Sequence, residues 1–114
     1  MYRLFYRSLA VRHLEDSELN GLVRTCQRHN DANLITGLLA FDGTHFHELL
    51  EGRREDVIRT MDRIKQDPRH RHIRILGQKP VSERAYLSWG YRTDRGQVFT
   101  ELEDAMRFDG VAHD

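Results

Sequence analysis

The most informative side chain is a carboxylate that its strand directs inward. Across His45–Glu51 the residues alternate, with Phe46, Glu48 and Leu50 on one face and His45, His47 and Leu49 on the other. The face of Phe46 and Leu50 is the one to bury, which puts an acid among apolar neighbours. Such a group must be paired, hydrogen-bonded or protonated, because an isolated buried carboxylate is costly. Tyr2–Ser8 alternates in the same way, with Leu4 and Tyr6 on one face and Arg3, Phe5 and Arg7 on the other. If these two strands are central neighbours, the Tyr6 phenol comes within hydrogen-bond reach of Glu48. A phenol and a carboxyl in that relation can exchange a proton; the plainer reading is a core tyrosine capped by an acid.

Two further polar clusters qualify. Gln27, Arg28, His29, Asn30 and Asn33 gather where a first helix should end, and read plainly as a polar helix terminus with asparagine tolerating the left-handed cap. Asp67-Pro68-Arg69-His70-Arg71-His72 follows a second helix. It reads as a solvated loop, or as a mouth where Arg69 and His70 offer donors to an anionic or polar ligand edge. His45 and His47 share a strand face with His72 nearby, but no spacing supplies the three or four convergent ligands of a metal site. Catalytic templates are missing: there is no nucleophile elbow, phosphate-binding loop or dinucleotide fingerprint. Cys26 lies on an apolar helix face, as a small core residue does.

The elements that must position these residues follow from periodicity. After the first strand, Leu19, Leu22, Val23 and Cys26 fall on one face of a helix over Glu15–His29. Ile35–Phe41 is a central strand, Asp42-Gly43 a hairpin turn, and His45–Glu51 the returning strand, ended by Gly52. Arg53–Gln66 is a second helix with Val57, Ile58, Met61 and Ile64 inward, stopped at Asp67-Pro68. His72–Val81 and Arg84–Tyr91 read as two more strands, and Thr100–Arg107 carries a weak helical pattern. This order predicts an α+β fold: a ferredoxin-like βαββαβ sheet with an additional C-terminal strand and two helices on one sheet face.

The 114 residues suit one domain with a real core. Lys plus Arg and Asp plus Glu both number 18, and this balance argues against a nucleic-acid ligand. A single cysteine, no apolar leader and no membrane-spanning stretch point to a cytoplasmic protein without membrane association.

In order and spacing these residues resemble the BLUF family, the domains for sensing blue light using flavin. The matching segments run from Tyr2 to Tyr91. They comprise Tyr2-Arg3-Leu4-Phe5-Tyr6-Arg7-Ser8, Asn30, Ile35-Thr36-Gly37-Leu38-Leu39, Phe46, Leu50-Glu51-Gly52, Asp67, Arg69, His70, Arg84 and Trp89. The resemblance implies a sensor rather than an enzyme, with a flavin-binding domain over 1–92 and a short, partly helical extension over 93–114. It implies FAD, or alternatively FMN, held between the two helices with its ring edge toward the sheet. By position Tyr6 is the redox-active tyrosine, and Asn30 is the amide that bonds the flavin's carbonyl and imide edge. Asp67, Arg69 and His70 supply polar contacts; Leu22, Val23, Cys26, Phe46, Leu50 and Ile64 form the apolar slot; Trp89 passes the signal outward.

Departures from the family pattern are specific. The central glutamine is replaced by Glu48, a second asparagine by His29, the glycine before Ile35 by Leu34, and the methionine after the tryptophan by Tyr91. An amide both donates and accepts, whereas an ionised carboxylate only accepts. Two functions therefore stand. One is a photoreceptor in which light moves an electron and a proton from Tyr6 and rearranges bonds around Glu48, signalling to a partner protein. The other is a degenerate interaction module without a normal photocycle, flavin-bound or flavin-free. The outer sheet face, with Phe5, His45, His47 and Leu49, is either a homo-oligomer or partner surface or an ordinary half-covered face.

Overall fold

The structure, a computed structural model, describes residues 1–94 and 96–108. In chain order the elements are β1 (Tyr2–Ala10), α1 (Asp16–Ala32), β2 (Thr36–Phe41), β3 (His45–Gly52), α2 (Arg54–Lys65), β4 (His70–Pro80), β5 (Trp89–Thr93) and α3 (Val98–Arg107). They form one five-stranded sheet in the order β4-β1-β3-β2-β5. Neighbours are antiparallel except the added β5, which runs parallel to β2. This is the ferredoxin-like α+β arrangement with one extra strand.

Local chemistry explains the boundaries. Glu15 and Glu18 close a capping box at the start of α1, with Asp16 and Glu18 at its positive end and His29 in its last turn. Asp42 accepts from the backbone N–H groups of Thr44 and His45, an Asx turn that sets the β2–β3 hairpin. Gly37 lies at φ 144°, and a Cβ there would sit 1.8 Å from the Leu49 carbonyl oxygen, so only glycine lets β2 approach β3. Leu34 adopts φ 56° and is 71% exposed, a left-handed position where a glycine would be unstrained.

Three apolar clusters make the core. Leu4, Tyr6, Ile35, Leu50, Val57 and Met61 pack between the sheet and α2. Leu14, Leu22, Leu39, Phe41, Phe46 and Trp89 pack under α1. On the opposite sheet face Phe5, Leu38, Ala40 and Leu49 are covered by Val98 and Leu102 of α3.

Several sequence expectations change. The weak C-terminal pattern is a ten-residue helix, and it buries Phe5, Leu49 and His47, so the outer patch is largely closed. Asp94 starts it by accepting from the N–H groups of residues 96 to 98. The strand expected from Arg84 begins only at Trp89. Residues 84–86 instead bond to the strand end: Arg84 reaches Thr36 and the Glu51 carbonyl, while the Glu51 carboxylate takes the N–H groups of Ala85 and Tyr86. β4 starts at His70 rather than His72, because His70 pairs with Ala10. Ile58 points outward at 43% exposure, since Val57, Thr60 and Met61 already fill the inner face of α2.

Candidate functional site

Between α1, α2 and the sheet lies a narrow, partly open cavity. Its walls are apolar: Leu22 and Cys26 from α1, Ile64 from α2, Leu39 from β2 and Phe46 from β3. Tyr6 and Glu48 form its polar floor, and Asp67, Arg69 and His70 its mouth.

Strand register builds the floor. Glu48 is opposite Tyr6 on β1 and Leu39 on β2, so all three side chains point into the same space. The Tyr6 hydroxyl donates to Glu48 Oε1 at 2.6 Å, and Trp89 Nε1 donates to Oε2 at 2.9 Å. Both carboxyl oxygens are thus gripped by neutral donors, with Glu48 only 2% exposed. Burial pushes the Glu48 carboxyl up to about 7, against the opposing pull of the Tyr6 and Trp89 bonds. Burial, then the nearby Glu48 charge, holds the Tyr6 phenol well above its ordinary range. Glu48 therefore titrates near neutrality while Tyr6 keeps its proton in the resting protein.

At the mouth Arg69 clamps Asp67 through two nitrogens, Nε to Oδ1 at 2.9 Å and Nη2 to Oδ2 at 2.7 Å. Burial works against the Asp67 charge, but the Arg69 bonds outweigh it and leave the carboxyl below its usual range. His70 Nε2 donates to the Ile64 carbonyl at 2.7 Å, and Nδ1 lies 2.7 Å from the buried Ser8 hydroxyl. This fixes the ring against the end of α2. Burial and the Glu48 charge push the Cys26 thiol up to about 12, so it is a wall group rather than a nucleophile.

At the end of α1 the Asn30 backbone carbonyl accepts from Ile35 N–H at 2.8 Å and holds the start of β2. Asn30 itself is buried, at 3% exposure. His29 Nδ1 accepts from Arg63 of α2 at 2.6 Å, which leaves the hydrogen on Nε2, a buried atom without a partner among the described residues. Burial, then Arg63 and Arg59, lowers the His29 pKa and keeps the ring neutral.

Of the residues expected from sequence, Tyr6, Leu22, Cys26, Phe46, Glu48, Ile64, Asp67, Arg69 and His70 line this one cavity. Val23, Asn30 and Leu50 do not. Val23 packs beside the cluster under α1, Leu50 belongs to the core under α2, and Asn30 stands at the end of α1. Trp89 reaches the site through Glu48. Leu39 was missed, although the register that pairs it with Glu48 is the signal that finds it. The lining suits a flat ring with polar edges: apolar walls and a floor of hydrogen-bonding phenol and carboxyl groups. Among the described residues no group of three or more His, Cys, Asp or Glu is placed to hold a metal, and no helix is long and apolar enough to cross a membrane.

Known proteins share this sequence and architecture. Residues 1–92 match the BLUF family, described as sensors of blue-light using FAD. The photoactivated adenylate cyclase subunit beta of Euglena gracilis is 36% identical over 107 residues, 90% of this chain and 12% of that protein. The blue light- and temperature-regulated antirepressor BluF of Escherichia coli K12 is 40% identical over 74 residues, 61% of this chain and 17% of that protein. The chain thus spans about an eighth of the length of the cyclase subunit. Among solved structures, the photo-activated state of BlsA superposes with a TM-score of 0.78 at 28% identity, covering 90% of this chain and 76% of that one. The BlrP1 BLUF structure gives 0.74 at 33% identity, covering 98% and 79%.

Proposed function

The chain belongs to the BLUF family of blue-light sensors, and from that premise we propose that its cavity holds FAD and that Glu48 is the switch. A flavin bound there supplies the absorption of blue light and an electron-accepting ring, which no side chain provides. Leu22, Cys26, Leu39, Phe46 and Ile64 hold the ring from its faces. Asn30, at the end of α1, would supply a carboxamide to one edge, and Asp67, Arg69 and His70 order the mouth.

The observation that carries the reading is the double grip on Glu48, with Tyr6 on one oxygen and Trp89 on the other. A change of charge on this carboxyl alters both bonds at once, because bonds to an ionised acceptor are roughly twice as strong as neutral ones. Trp89 is the first residue of β5, so a loosened Trp89 loosens the strand end that carries the signal to a partner protein. The family's glutamine would offer one acceptor and one donor; Glu48 offers two acceptors when ionised and a donor only when protonated.

The test is an absorption spectrum of the purified, FAD-loaded protein before and after blue light. A flavin band that moves to the red and relaxes in the dark supports the proposal. A bound but static flavin favours the second reading, an interaction module whose Glu48 is locked between its two donors. In that case Glu48→Gln should restore the shift, and a static band in the variant would remove Glu48 as the cause.

A further inference from the structure

The outer sheet face has two unlike halves. In the half under α3, Phe5 pairs with Leu49 and Leu49 with Leu38, an apolar row that Val98 and Leu102 cover. The other half lies one pleat further along β1. There Arg7 stands between Arg74 of β4 and His47 of β3, a ring still buried against Phe99 of α3, and in the next row, beyond α3, Leu9 stands between Arg71 and His45. Two β4 residues oppose the single Ser8 between these rows, a bulge at which His72 takes φ 54°. The bulge turns His72 into an open groove shared with Arg7, Arg74 and His45.

Like charges directly opposite on neighbouring strands destabilise a sheet. Here Arg7 faces Arg74, yet among the described residues neither they nor Arg71 has a carboxylate at ion-pair distance. Several arginines elsewhere are matched: Arg12 with Glu18, Arg69 with Asp67, Arg92 with Glu101 and Arg107 with Asp104. The acids nearest the patch are already engaged. Asp42 accepts from the hairpin N–H groups and lies 3.7 Å from His45, and Asp94 caps α3. The patch is local, since the whole chain is formally neutral.

We propose that this uncovered basic half-face, centred on the Arg7–Arg74 pair, docks an acidic segment of a partner protein. The surface lies on the face opposite the cavity, and its occupant is set by charge complementarity: carboxylates between Arg7 and Arg74 relieve a repulsion that the fold leaves standing. The extended groove along β4 suits a peptide stretch better than a point anion.

A fluorescein-labelled poly-glutamate peptide, followed by anisotropy with the full chain in the dark, tests this. Binding should weaken steeply with added salt. The double substitution Arg7→Gln with Arg74→Gln should lower affinity on the order of tenfold, while Arg24→Gln with Arg28→Gln on α1 should leave it unchanged. Arg74 is exposed, so the single Arg74→Gln serves if the double variant does not fold. Absence of binding, or equal affinity in the Arg7/Arg74 and Arg24/Arg28 variants, overturns the proposal. So does tighter binding of a single-stranded oligonucleotide of the same charge, which would assign the surface to nucleic acid. Because the assay needs no light, its failure is separate from failure of the photoreceptor reading.

Discussion

Glu48 and Glu51 lie on the same strand, both buried, and meet opposite environments. Glu51, 0% exposed, faces the outer side and is met by a full cation, with Arg3 Nε 2.7 Å from its Oε2. It also takes the backbone N–H groups of Ala85 and Tyr86, while Arg3 extends to the carbonyls of Glu83 and Phe108. Glu48 faces the cavity and meets only a phenol and an indole. Burial and pairing are thus separate properties of the two acids. A buried acid with a cation and several donors ties elements together, here β1, β3, the 83–86 segment and the end of α3. A buried acid with neutral donors alone keeps a pKa of about 7 and stays free to change its charge. The end of β3 is built as a clamp, whereas its middle holds an acid that neutral donors alone retain.

The largest effect should come from breaking the clamp. Glu51→Leu strands the Arg3 guanidinium in the interior and should cost about 3–5 kcal/mol in urea unfolding, whereas Glu48→Leu leaves only neutral donors unpaired and should cost about 1–3 kcal/mol. Equal losses would erase the distinction between the two acids. Pairing Glu51→Leu with Arg3→Met should recover part of the loss, since no unpaired charge remains.

A somewhat smaller effect belongs to pH. The Glu48 carboxyl is raised from 4.5 to about 7, so between those values the unfolded chain has released a proton that the folded protein still holds. Its contribution to stability is greatest below pH 4.5 and is lost as pH rises through about 7, by up to roughly 3 kcal/mol. Groups held low, such as Asp67, slope the other way, so the signal is the difference between the wild type and Glu48→Gln. Denaturation series at several pH values should show the wild type losing ground to the variant as pH rises. Parallel curves would mean that Glu48 does not titrate in this range.

The smallest effect concerns the second donor on Glu48. Trp89→Phe keeps an aromatic ring but removes one donor to Glu48, and loss of that bond costs roughly 1 kcal/mol. Because that bond favours the charged form, its loss should carry the Glu48 titration to higher pH. The shift is read from the same denaturation series, and an unmoved midpoint would show that the Trp89 bond contributes nothing to holding the charge.

By itself the sequence determined the element order, the inward face of β3 and the acid placed on it. Alternation in short strands reports which side of a sheet each residue takes, and helical spacing reports which face is buried. It also carried the family resemblance through Tyr6, Asn30, Arg69 and Trp89. Tertiary structure decided what each buried charge would meet. Arg3 read as an outward residue of a half-covered face; only the docking of α3 and the fold-back of residues 83–86 buried it against Glu51. Residues 84–88 had strand-like composition, but the Glu51 carboxylate took backbone N–H groups that a ladder would have used. Leu39 and the second donor on Glu48 depended on register and on β5 joining the sheet beside β2. Periodicity is a local property written residue by residue, whereas the partner of a buried charge is set by contacts between segments distant in sequence, and only packing reveals it.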